Sequence, residues 1–138
     1  MGSRHGTLTH TADLGLWVEA DSLPELMATA VEALSLLMAA GPRQGDIAWL
    51  PVDLEGQDHA ELLVELLNEV VYCLDGEGLI SVALEITELT PVRLAGRLGV
   101  VPRGPGHMAG EPVKAVTYHQ ASVQPRGRGW RAQVIMDV

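Results

Sequence analysis

The sequence predicts an α+β domain in which two helices pack on one face of a largely antiparallel sheet, in the order β-α-β-α-β-β-β-β. Three observations carry that expectation. Two segments, DSLPELMATAVEALSLLMAAGP and DHAELLVELLNEVVYCLDGEG, repeat apolar residues at helical spacing behind capping residues. Strand-like alternation precedes each of them and recurs in four stretches after the second. Strands that gather after the helices favour segregated rather than alternating layers. The 138 residues make one domain, 1–138, long enough to bury roughly 68% of the unfolded surface.

The elements follow in order. From Leu14 to Ala20 the residues Leu14, Leu16, Val18 and Ala20 point one way, and Gly15, Trp17 and Glu19 the other. Ser22 and Glu25 then form a capping box, with Pro24 in the first turn where its missing N–H costs little. Leu23, Leu26, Met27, Ala30, Val31, Leu34, Leu37 and Met38 make the buried stripe of this helix, and Gly41 and Pro42 end it. A strand near Ile47 to Glu55 alternates at Ala48, Leu50, Val52 and Leu54, and Pro51 assigns it to an edge or a bulge. Asp58 and Glu61 open the second helix, whose stripe is Leu63, Leu66, Leu67, Val70 and Leu74. Glu61, Glu65, Asn68, Glu69 and Tyr72 fall largely off that stripe and read as a solvated face. Ile80 to Ile86 and Val92 to Leu98 alternate about the turn ELTP, as a hairpin does. PRGPGHMAGEP has the composition of a flexible loop. KAVTYHQASVQ and WRAQVIMDV, joined by PRGRG, form a second hairpin.

Composition removes several classes of function. With 9 Lys+Arg against 18 Asp+Glu the formal charge is −9, which argues against a protein that grips nucleic acid by itself. The core is aliphatic, since there is no phenylalanine. The single cysteine, Cys73, excludes an internal disulfide framework, suits a reducing compartment and reads as inert packing among aliphatics. No apolar stretch approaches the ~20 residues of a membrane helix, and no signal peptide is evident, so a cytoplasmic protein is expected. A Walker loop, GxSxG, CxxC and HExxH are all absent.

Two segments concentrate chemistry. HTADLG puts His10, Thr11 and Asp13 ahead of the first strand, while the sequence closes on MDV, with Asp137 beside the carboxylate of Val138. If the terminal strands lie side by side, three anionic oxygen donors converge, and such donors suit Ca²⁺ or Mg²⁺ rather than zinc. His10 and His119 would add nitrogen ligands and move the choice towards a transition metal. Spacing leaves a plainer reading open, in which Asp13 caps a turn and Asp137 solubilises a terminus. The other segment is KAVTYHQ, which carries Lys114, the only lysine of the chain, and His119. Lys114 is either an ordinary surface lysine or a cation offered to a phosphate or a partner's carboxylate.

HTADLG, ELLNEVVYCLDGEG, VKAVTYHQ and the closing MDV stand in the order of one known family, and together they span nearly the whole chain. On these motifs the sequence resembles archease, the small protein that assists the RtcB-type GTP-dependent RNA ligase. VVYCLDGEG departs mildly, lacking the aromatic residues often found there. The resemblance implies a non-catalytic activator that promotes attachment of GMP to the ligase's active-site histidine and repeated turnover in tRNA splicing or RNA repair. It implies a divalent metal, Ca²⁺ first and Mg²⁺ or Mn²⁺ as alternatives, held by Asp13, Asp137 and the Val138 carboxylate. It also implies an activating role for Lys114, with His10 and His119 at the partner-facing end. RNA would be met only through the ligase, and the acidic charge would complement a ligase surface built to receive RNA and metal ions. The competing reading is a small metal-dependent hydrolase using His10, Asp13, His119 and Asp137, in which the metal generates hydroxide. A general chaperone-like binder is a third reading, and it would need exposed apolar surface.

Overall fold

The computed structural model describes residues 2–9, 13–43 and 45–138. Its strands are β1 (Arg4–Thr9), β2 (Asp13–Ala20), β3 (Ala39–Ala40), β4 (Ala48–Glu55), β5 (Leu79–Thr90), β6 (Arg93–Pro102), β7 (Met108–Ala109), β8 (Ala115–Arg126) and β9 (Gly129–Asp137). Its helices are α1 (Leu23–Met38) and α2 (His59–Glu77). Every strand pair is antiparallel, and the expected α+β class and order hold. The strands divide into a four-stranded sheet, β1-β2-β9-β8, and a three-stranded sheet, β4-β6-β5, with a two-stranded patch β3-β7. Both helices pack against both larger sheets.

Local chemistry explains the helix ends. The Glu25 N–H donates to Ser22 Oγ at 3.3 Å and the Glu61 N–H to Asp58 Oδ1 at 2.8 Å. Each satisfies a donor that the helix leaves unpaired. Gly78 closes α2 in the left-handed conformation at φ 67°. The apolar stripes meet in one core: Leu26, Met27, Leu34, Leu62, Leu63, Leu66 and Leu67 of the helices are fully buried, as are Leu16, Ile80, Leu94, Leu98 and Met136 from the sheets. Pro51 lies on β4, the edge strand of its sheet, as its missing N–H requires.

Two features differ from the sequence reading. Residues 4–9 form an additional edge strand, β1. Gly6 faces Trp17 across that pair, and a Cβ on Gly6 would lie 2.5 Å from the indole nitrogen, so only glycine lets the indole lie across the strand. The segment expected to be a flexible loop is tied down instead. Gly104 N–H donates to His107 Nδ1 at 2.8 Å, and His107 Nε2 bonds the Pro42 carbonyl at 2.5 Å. Met108–Ala109 pairs with Ala39–Ala40, and the Gly110 and Glu111 N–H groups donate to the Met38 and Leu37 carbonyls at 2.8 and 2.9 Å. A Cβ on Gly110 would sit 2.1 Å from the Leu37 carbonyl oxygen, so glycine is required for this closure.

Candidate functional site

The N-terminal end of β2 and the C-terminal end of β9 are brought together. Asp13 is the register partner of Asp137, and Asp137 is in turn the partner of Ala115 on β8. Residues directly opposite in an antiparallel pair share a face, with Cβ atoms about 4.5–5.5 Å apart. The next row, Leu14, Met136 and Val116, points into the core, so the aspartates point to the outer face. Asp13 is partly exposed and Asp137 exposed. Like charges in that position destabilise a sheet unless a cation lies between them. The donor chemistry fits a hard divalent ion. Among the described residues no group of three or more His, Cys, Asp or Glu side chains is placed to hold a metal ion.

Lys114 belongs to the same end. Its N–H donates to the Asp137 carbonyl at 2.8 Å, which fixes the residue beside the aspartate pair while its side chain stays exposed. His10 lies outside the described residues. His119 is not in register with the aspartates. It sits four residues beyond Ala115, inside a bulge where Tyr118–Ala121 stand opposite the single residue Val134. Gln120 has φ 56° there, a left-handed backbone that a non-glycine residue rarely adopts.

Helix α2 holds this strand in place through residues first read as a solvated face. Asn68 Nδ2 donates to the Val116 carbonyl at 2.9 Å, and the Val116 N–H donates to Asn68 Oδ1 at 2.9 Å. β8 is an edge strand, so these backbone groups would otherwise lack partners. One turn earlier, the Tyr118 hydroxyl donates to Glu65 Oε1. That bond, with burial and the Glu65 charge adding to it, pushes the Tyr118 phenol up to about 12. Glu65, Asn68 and Tyr72 recur at i, i+3 and i+7, and a neutral amide within a carboxylate-rich stripe is the available sequence signal for the contact. Cys73 is buried on the same helix; burial pushes its thiol up, with Glu69 and Glu77 acting in the same sense, which fits inert packing.

The comparisons with known proteins agree with this architecture. Residues 5–138 match the model of the Archease protein family (MTH1598/TM1083). The chain is 33% identical to the protein archease of Pyrococcus abyssi, covering 94% of each chain. It is 31% identical to that of Archaeoglobus fulgidus, covering 95% of this chain and 96% of the other. Among solved structures it is similar to protein 1598 of Methanobacterium thermoautotrophicum, with TM-score 0.72, 25% identity and coverage of 97% and 98%. It shares its fold with a Thermotoga maritima archease described as a possible chaperone, with TM-score 0.63, 17% identity and coverage of 95% and 94%. By the match over residues 5–138 and by these relatives, the chain belongs to the archease family.

Proposed function

We propose that this protein is a non-catalytic activator of an RtcB-type RNA ligase, promoting the ligase's GTP-dependent guanylylation and its repeated turnover in tRNA splicing or RNA repair. Family membership supports the reading. The structural observation that carries it is the meeting of Asp13, Asp137 and Lys114 at one end of the four-stranded sheet. In this reading Asp13, Asp137 and the Val138 carboxylate bind a divalent ion, Ca²⁺ first and Mg²⁺ or Mn²⁺ as alternatives. When bound, the ion neutralises the opposed carboxylates and fixes the strand ends. Lys114 then presents a compact ammonium to a phosphate or a partner carboxylate. His10 and His119 take part with Lys114 in activating the partner, and the protein works beside its ligase in the cytoplasm as a dedicated, chaperone-like assistant. Among the described residues no helix is long and apolar enough to cross a membrane.

The hydrolase reading finds less support. It needs His119 beside Asp13 and Asp137, and His119 stands four residues along β8 from the partner of Asp137. The test is direct. A purified RtcB-type ligase is incubated with labelled GTP, with and without this protein, and GMP attached to the ligase is followed over time. Faster guanylylation and several ligation cycles per ligase are expected; identical time courses would refute the activator reading.

A further inference from the structure

The opposite end of the same sheet carries an arrangement that the activator reading does not use. Arg4 of β1, Arg126 and Arg128 of the hairpin between β8 and β9, and Arg131 of β9 gather there, four of the 9 Lys and Arg residues of a chain whose net charge is −9. Arg4, Arg126 and Arg128 line an open cleft of about 590 Å³, floored by Glu19 and walled by the glycine-flanked hairpin tip. Asp21 also lines it, so three guanidiniums share the lining with two carboxylates, and Arg131 meets Glu19 beside them.

Glu19 is the organising residue. Its Oε1 accepts from Arg4 Nε at 2.5 Å, and its Oε2 meets Arg131 Nη1 at 3.0 Å and Arg126 Nε at 3.1 Å. The hydrogen bond from Arg4, then that from Arg131, holds the Glu19 carboxyl below the ordinary carboxylate range. One carboxylate cannot neutralise three guanidiniums. Arg4 and Arg126 engage it through Nε, which leaves their Nη groups available to a second acceptor. Their side chains are 68% and 61% exposed. Arg128 is exposed in the turn of the hairpin. Arg4 and Arg131 also lie over Trp17, 5.5 and 4.9 Å from its ring centroid, so that indole is committed to the guanidiniums.

We propose that this cleft is a phosphate-binding site, taking the phosphate of a nucleotide or of an RNA strand. Guanidinium forks match the tetrahedral oxygens of phosphate in a way that carboxylate partners at the surface do not exhaust. Glu19 pre-positions the forks, so little side-chain freedom is lost when an anion arrives. Trp130 also lines the cleft, while the charged contacts come from guanidiniums, which read backbone rather than sequence. Seven register steps separate Asp13–Asp137 from Ala20–Trp130. At about 3.4 Å per residue that is about 24 Å, so the cleft is distinct from the aspartate end. The proposal does not depend on the activator reading.

The experiment is fluorescence anisotropy of the full protein with a 5′-fluorescein-labelled ten-nucleotide oligoribonucleotide, without any ligase. Binding is expected at about 50 mM salt, with affinity falling as salt rises by a log–log slope of about −0.7 per phosphate contacted. The pair Arg126→Gln and Arg128→Gln should raise Kd about tenfold or more and flatten that slope. The pair Arg93→Gln and Arg97→Gln, which removes the same charge from the other sheet, should leave Kd within about twofold. Circular dichroism and the single substitution Arg128→Glu, at an exposed turn residue, separate loss of binding from loss of fold. Displacement of the oligoribonucleotide by GTP assigns the site to a free nucleotide, and resistance to GTP assigns it to a strand. No binding by the native protein, or equal weakening by the two pairs, would overturn the proposal.

Discussion

Asn68 and Val116 exchange two hydrogen bonds, both 2.9 Å long, between a helix side chain and the backbone of an edge strand. That exchange fastens α2 to β8 two residues from Lys114, and it closes a sheet edge that would otherwise present unpaired groups. Asn68→Ala leaves a donor and an acceptor of Val116 without protein partners. The expected loss of stability is about 1–3 kcal/mol, read as a lower urea midpoint with an unchanged slope. A midpoint equal to the native one would show that the clamp contributes nothing.

Tyr118 gives a pH signature. Its hydroxyl donates to Glu65, and its phenol is pushed up to about 12. A folded-state value above the unfolded one means that the neutral phenol is favoured in the fold. The contribution is therefore fully present below the ordinary tyrosine value near 10 and is lost as pH rises through about 12. Ultraviolet titration should show one tyrosine ionising late, and Glu65→Gln should bring it down. A Tyr118 phenol that titrates near the ordinary tyrosine value in the native protein would contradict the contact.

Much of this fold was legible because it is written in periodicity. The stripes of α1 and α2, the caps Ser22 and Asp58, and the alternation of β2, β5, β6 and β9 follow from side-chain pattern alone. β1 was not legible, because RHGTLT carries no apolar stripe and is held by backbone pairing and by Trp17 lying over Gly6. The bulge at Tyr118–Ala121 and those near Ser81 and Ile86 were hidden too, since an inserted residue changes register without changing composition. Loop 103–111 looked mobile because glycine and proline dominate it, yet His107 and three backbone contacts fasten it. The facing of Asp13 and Asp137 was a conditional in the sequence and is a register fact in the structure. His119 lies four residues along β8 from Ala115, the register partner of Asp137.

Lys114 separates function from stability. Its link to Asp137 runs through the backbone and survives any side chain but proline. Lys114→Ala should therefore keep its melting temperature within about 1–2 °C while losing most stimulation of the ligase. Full stimulation by the folded mutant would make Lys114 an ordinary surface lysine.

Val138 tests the donor set. Adding residues after it turns its carboxylate into an amide, which attracts a divalent ion less. Calorimetry with Ca²⁺ should show affinity falling by about tenfold or more. Equal affinity of the native and extended proteins would remove Val138 from the site.

The most direct test of the account substitutes Asp13 alone. Asp13→Asn keeps the shape and removes one of two opposed charges, so the strand pair should remain folded by circular dichroism. The rate at which an RtcB-type ligase acquires GMP is then measured with native and mutant protein under saturating Ca²⁺, and again with Mn²⁺. The account predicts that the native protein accelerates guanylylation and that the folded mutant leaves the ligase at its unassisted rate. Equal acceleration by both proteins would contradict it and move the activating surface away from the Asp13–Asp137 end.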